Sequence, residues 1–220
     1  NSFVGNIDEV RGTNTARYTA NFTATTAPFE DDANTLLLLH MDGADGSTVF
    51  TDDVGGREQI GMSAFNGAQV DTAQSKFGGA SALFDGVDSY IQHPKNPIFQ
   101  YGTGDFTLEA WIYPTNVSGN RVIINNRRGS GTFESSANVM ALINGKLAWS
   151  NGGVFVSGTT TFSTNTWVHC AVTRENGTLR IFVDGTEEYS ATQTISINAN
   201  RFVTIGNFED AAGNADFAGN

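Results

Sequence analysis

Alternation of apolar and polar residues dominates the chain. In Phe106-Thr107-Leu108-Glu109-Ala110-Trp111-Ile112-Tyr113, the residues Phe106, Leu108, Ala110 and Ile112 fall on one face and Thr107, Glu109, Trp111 and Tyr113 on the other. That is the signature of a strand with one buried face. Residues 139–142 and 146–149 alternate around Asn144-Gly145, a two-residue turn that predicts a hairpin. Residues 167–174 and 179–183 flank Asn176-Gly177, and Asp184-Gly185 turns the chain into a further strand at 186–191. Residues 201–205 read as a strand closed by Gly206-Asn207, and 81–84 and 90–93 as two strands around Asp85-Gly86-Val87-Asp88. The helical period is almost missing; a short turn near residues 14–18 is the one helical candidate. Short strands at spacings of roughly 8–12 residues, without βαβ alternation, predict an all-β, antiparallel two-sheet sandwich of jelly-roll type.

Composition agrees with that picture and narrows the function. The 220 residues include 25 Gly against four Pro, as many tight turns require, and 16 Phe with three Trp supply a core. Twelve basic against 23 acidic residues leave a net charge of −11. No basic stripe offsets it, so nucleic-acid binding is excluded. The aliphatic run Leu36-Leu37-Leu38-Leu39 is too short to span a bilayer, which argues against membrane insertion. Cys170 is the single cysteine, sits in an apolar strand and reads as a small buried hydrophobe. The chain starts at Asn1 without Met, as a mature or excised segment would.

The two ends resemble each other: Phe3-Val4-Gly5-Asn6 matches Phe217-Ala218-Gly219-Asn220. The expectation is one period of a tandem array, cut before the last strand of a domain.

Several segments in order carry a family resemblance. They are Leu83-Phe84-Asp85-Gly86-Val87-Asp88-Ser89-Tyr90, Gly104-Asp105-Phe106-Thr107-Leu108-Glu109-Ala110-Trp111, Trp167-Val168-His169-Cys170-Ala171-Val172-Thr173-Arg174, Leu179-Arg180-Ile181-Phe182-Val183-Asp184-Gly185 and Val203-Thr204-Ile205-Gly206. The series resembles the laminin G-like domains of the concanavalin A-like superfamily, to which pentraxins also belong. In that family the order ends with a strand like Phe3-Val4-Gly5-Asn6-Ile7-Asp8-Glu9-Val10-Arg11, which here stands first. The resemblance implies three parts: residues 1–12 as the last strand of a domain, its own or a neighbour's; 13–34 as a linker; and 35–220 as the main body. Ala16-Arg17-Tyr18-Thr19-Ala20-Asn21-Phe22-Thr23 looks like the tail that follows such domains in phage and bacterial surface proteins. A displaced last strand either folds back into its own domain or pairs with a neighbouring copy through Phe3, Ile7 and Val10, the reading preferred here together with covalent tandem repeats of the same geometry.

Candidate chemistry falls into three classes. Related glucanases carry two Glu on one strand face at Glu-x-Asp-x-Glu spacing, and no such spacing occurs here. The acidic pairs Asp8-Glu9, Asp31-Asp32, Asp52-Asp53, Glu187-Glu188 and Glu209-Asp210 are sequence neighbours, which strand geometry sends to opposite faces. None of His40, His93 and His169 lies in a nucleophile-elbow context, so no catalytic residue is assigned. A structural Ca²⁺ has three acidic loops to choose from, with Asp42, Asp85, Asp88, Asn207, Glu209 and Asp210 as candidate ligands; the Asp-Gly pairs among them equally read as plain turns. Carbohydrate stacking would draw on Trp111, Tyr113 and Trp149, with Trp167 a further candidate, although strand Trp residues are more often core. The Arg127-Arg128 pair reads as a solvated loop. Asn21, Asn116 and Asn176 begin N-x-Ser/Thr sequons, relevant only to a eukaryotic secreted chain.

The reading that results is an extracellular, cell-surface or virion module without catalytic activity, as in a phage fibre. It would be a repeat or subunit of a filament joined to copies of itself by strand complementation. The alternative is a calcium-assisted carbohydrate-binding module.

Overall fold

A computed structural model describes residues 2–56, 61–126, 138–151, 154–198 and 202–207. Within them lie sixteen strands. They are β1 (Val4–Thr13), β2 (Thr35–Leu39), β3 (Val49–Thr51), β4 (Gly61–Phe65), β5 (Gln69–Asp71), β6 (Ser81–Asp85), β7 (Tyr90–His93), β8 (Phe106–Pro114), β9 (Asn120–Asn125), β10 (Asn138–Ile143), β11 (Lys146–Asn151), β12 (Val154–Ser157), β13 (Val168–Glu175), β14 (Thr178–Val183), β15 (Thr186–Thr192) and β16 (Val203–Ile205). The one helical element described is a 3₁₀ turn at Pro97–Phe99, capped by the Asn96 side chain. Residues 14–18 are bends and not the expected helical turn. Among the described residues no helix is long and apolar enough to cross a membrane.

Two eight-stranded antiparallel sheets form the sandwich. The first runs β15-β14-β13-β8-β1-β6-β5, with β2 also paired to β1; the second runs β12-β11-β10-β9-β16-β7-β4-β3. Three of the hairpins are dictated locally. Asn144-Gly145, Asn176-Gly177 and Asp184-Gly185 each hold two consecutive positive φ angles, from 47° to 80°, as a type I′ turn demands. The alternation of β8 is realised as read: Phe106, Leu108, Ala110 and Ile112 enter the core between the sheets, and Phe106 stacks on Trp149 at 5.4 Å. The strands that the pattern missed, β3, β4, β5, β9 and β12, have three to six residues and are positioned by their neighbours in the sheet.

β1 occupies the middle of the first sheet, and its own chain supplies every partner. β8 pairs along one edge; β6 takes Val4 to Ile7 and β2 takes Val10 to Thr13 on the other. Phe3, Ile7 and Val10 are fully buried in the chain's own core. This corrects the expected intersubunit role of those three residues. A central strand with both ladder edges filled has no free row of N–H and C=O groups to offer a neighbour. Gly5 is fixed by this crowding, since a Cβ there would strike the Tyr113 carbonyl oxygen and its φ is +121°.

The segment expected as a linker, 13–34, is instead packed. Thr13 ends β1, and the following residues form a strap across the outer face of the first sheet. Arg17 N–H donates to Thr107 Oγ1 at 2.9 Å, Thr173 Oγ1 donates to the Tyr18 carbonyl at 2.9 Å, and Phe22 N–H donates to the Gly185 carbonyl at 2.8 Å. The Asn21 side chain accepts from Glu187 N–H at 2.8 Å, and Asn14 N–H meets the Asn34 carbonyl at 3.0 Å where the strap closes. Phe217 to Asn220 lie outside the described residues.

Because Ile7 is fully buried at the centre of the pairing, Ile7→Ala is expected to cost roughly 2–5 kcal/mol of stability. Urea unfolding checks this; a loss under about 0.5 kcal/mol would mean that β1 does not anchor the core.

Candidate functional site

The outer face of the first sheet carries a cluster of buried charges and a pair of half-buried aromatics. It is built from β1, β8 and β13. On β8 the polar-phase residues Thr107, Glu109, Trp111 and Tyr113 point away from the core, opposite Asn6, Asp8, Arg11 and Thr13 of β1. The register shifts between Asp8 and Arg11, and Glu9 takes φ 51°. This is a β-bulge. It puts Asp8 and Glu9, sequence neighbours expected on opposite faces, on the same outer face. The mark of it was in the sequence: Ile7 and Val10 both enter the core, and an odd separation between two core residues breaks strict alternation.

A polar network follows from that bulge. Arg11 pairs with Glu109 at 2.7 Å, His169 Nε2 meets the other Glu109 oxygen at 3.0 Å, and Tyr18 O–H donates to the same oxygen at 2.9 Å. Burial alone would raise the Glu109 pKa; His169 and Arg11 outweigh it and hold the carboxyl below its ordinary value. Glu9 accepts from Phe29 N–H at 2.7 Å and meets His40 Nδ1 at 2.9 Å, and this bond raises the His40 pKa against the opposing effect of burial. Tyr18 and Phe22 stack at 3.6 Å and set their edges against His169, while the Arg11 guanidinium lies 4.3 Å over Phe29. Glu109 and His169 are fully buried beneath this cover, so these acid and base groups meet the strap and not solvent.

Beyond the strap the face is aromatic. Trp111 is buried, with the Lys76 ammonium 3.8 Å above its ring and Phe77 edge-on at 6.0 Å. Asp8 fixes that lid by accepting from Lys76 N–H at 2.8 Å and Phe77 N–H at 3.1 Å. Tyr113 and Trp167 are half-buried and lie side by side, ring centres 5.5 Å apart and planes 48° from parallel. Asp71 and Ser81 hold the Asn6 amide at 2.9 and 3.0 Å, beside Tyr113 in register.

The structure therefore divides the aromatic candidates. Trp111 and Trp149 are 5% and 1% exposed and offer no ring face at the surface, a correction to their expected stacking role. The reason is packing: Trp149 faces inward on β11, and the 76–77 loop covers Trp111. Tyr113 is half-buried, and its companion is Trp167, which stands one residue before β13 and alternates with the core residue Val168.

Among the described residues the calcium candidates Asp42, Asp85, Asp88 and Asn207 do not assemble into a cage. The Asp85 carboxylate is occupied by its own turn, accepting from Val87 N–H and Ser89 Oγ at 2.8 Å each. Those bonds outweigh partial burial and lower its pKa. Asn207 is buried and its amide reaches the Asp88 carbonyl at 3.4 Å, so these two loops do meet. Asp42 is exposed and lies against Gly78. Among the described residues no group of three or more His, Cys, Asp or Glu is placed to hold a metal ion. Glu209, Asp210, Arg127 and Arg128 lie outside the described residues.

Two antiparallel sheets packed as a jelly roll, with aromatic side chains open on one outer face, define a lectin-type sandwich. The chain belongs to the concanavalin A-like lectin/glucanases superfamily, whose family model matches residues 85–220. A search of curated proteins finds no match. Among solved structures the chain is similar to domain 4 of AbnA, an extracellular arabinanase from Geobacillus stearothermophilus, in complex with arabinotriose. The identity is 17%, with 77% of this chain and 71% of that one covered and a TM-score of 0.43. It is also similar to a putative carbohydrate binding protein from Bacteroides ovatus, at 14% identity, 93% and 66% coverage and a TM-score of 0.40.

Burial raises the Asp8 pKa to about 7, against the lowering effect of the Phe77 and Lys76 N–H groups. The folded state then holds the Asp8 proton more tightly than the unfolded one. Its contribution favours folding below about pH 4 and is lost as the pH rises through 7. Asp8→Asn keeps an acceptor for the two N–H groups and stays neutral. It is expected to exceed the wild type by roughly 1–3 kcal/mol at pH 8 and to converge on it at pH 4. Urea unfolding at the two pH values measures the difference; equal stabilities at pH 8 would refute the buried, proton-binding Asp8.

Proposed function

We propose that the protein is a non-catalytic carbohydrate-binding module of an extracellular protein. The observation that carries this reading is the half-exposed Tyr113–Trp167 pair on the outer face of the first sheet. Aromatic rings stack on the apolar face of a sugar, and a rigid pair gives a large contact area at low conformational cost. The family of lectins and glucanases supports a glycan ligand. The placement of the acid–base groups favours binding over hydrolysis, since Glu109, Glu9, Asp8 and His169 are all buried under the strap or the 76–77 loop. The lectin-like alternative is preferred to the filament subunit, because β1 finds its pairing partners within its own chain. Stacking and rim hydrogen bonds come from side chains in this reading, so calcium is not required for binding.

Trp167→Ala is expected to weaken glycan binding by roughly tenfold or more, with the unfolding transition close to wild type, and Tyr113→Ala to act in the same direction. A glycan array followed by affinity electrophoresis, run with and without EDTA, measures it. Retention of full binding by the double variant would overturn the assignment.

A further inference from the structure

The sandwich is open along one side, where the edge strands β12 and β15 face each other. A cleft of about 250 Å³ enters the core there, lined by nine residues that include Trp149, Val154, Leu179, Tyr189, Gln193 and Ile195. Val154 and Ile195 are 77% and 44% exposed and form the lip. Two of the lining residues carry a spare donor: Trp149 Nε1 and Gln193 Nε2 are both buried and have no hydrogen-bond partner among the described residues. The orientation of Gln193 is set from behind, because its Oε1 accepts from Arg174 Nη1 at 3.3 Å and so turns the NH₂ away from the guanidinium. Arg174 is held in turn by the carbonyls of Gly102, Gly104 and Ile195.

We infer that this cleft is a second ligand site, which takes one neutral sugar ring with its oxygens accepting from Trp149 and Gln193 and its apolar face against Tyr189 and Leu179. Three features select that chemistry. Buried N–H groups without acceptors cost free energy that an incoming oxygen recovers. None of the nine lining residues is ionisable at neutral pH, so a charged ligand would be desolvated without a counter-charge. The volume is at the small end for ligand sites and suits a single ring, not a chain. The site stands on this geometry alone; the choice of a sugar over another neutral acceptor rests on the carbohydrate reading above.

The test is titration of the whole protein with methyl glucoside, methyl galactoside, methyl mannoside and methyl N-acetylglucosaminide, followed by saturation-transfer NMR and calorimetry. Gln193→Glu keeps an oxygen toward Arg174 and removes the donor; Val154→Trp fills the mouth from its exposed lip without touching the core. At least one glycoside is expected to bind saturably, and both variants are expected to weaken it at least tenfold while Trp167→Ala leaves it unchanged. No binding by any of the four glycosides, or equal binding by both cleft variants, overturns the site. Binding lost in Trp167→Ala alone would assign the ligand to the outer aromatic pair, so failure here is distinct from failure there.

Discussion

Pairing of β1 on both edges is the constraint from which the remaining architecture follows. A strand that is third from one end of a sheet and hydrogen-bonded to three others ties the front of the chain to its middle. β8 on one side, and β6 and β2 on the other, all take their register from it. The extra residue at Glu9 belongs to that pairing. By breaking the alternation once, it lets Ile7 and Val10 enter the core while Asp8, Glu9 and Arg11 reach the outer face. A sheet with one apolar and one polar face would leave that outer side to water. Here it becomes a second, polar layer.

That layer needs a cover, and the strap supplies it. Arg11, Glu109 and His169 satisfy one another, but buried charges are stable only when their remaining hydrogen-bonding capacity is filled. Tyr18 and Glu30 fill part of it through a hydroxyl to Glu109 and a carbonyl to Arg11, and the Phe29 N–H does the same for neighbouring Glu9. The same contacts hold residues 14–34 in place, so the charge network and the strap stabilise each other. The character of the face changes where the cover stops. Beyond it the face turns from ionic to aromatic, Lys76 closes Trp111, and Tyr113 with Trp167 is left open. Glu109 and His169 are covered, while Tyr113 and Trp167 are half-buried and lie side by side.

Much of the sandwich was legible because its determinants are local. Asn-Gly and Asp-Gly turns set three hairpins through backbone φ alone, and the period of two in β8 already separates core from surface. The short strands β3, β4, β5, β9 and β12 were illegible for the opposite reason, since their pairing partners, not their own residues, make them strands. The bulge was half-legible in the odd spacing of Ile7 and Val10. The aromatics show the limit most clearly. Trp111 and Tyr113 share a phase on β8, yet a loop more than thirty residues earlier buries one and spares the other.

The sequence by itself determined an antiparallel all-β jelly roll and the identity of its inward face. These depend on alternation and turn chemistry, which operate between residues close in the chain. Only the tertiary structure decided that β1 pairs within its own chain, that residues 14–34 are a strap and not a linker, that the acid–base groups are covered, and which aromatic rings remain open. Each of those depends on which distant segment packs over a given face, and no local pattern carries that information.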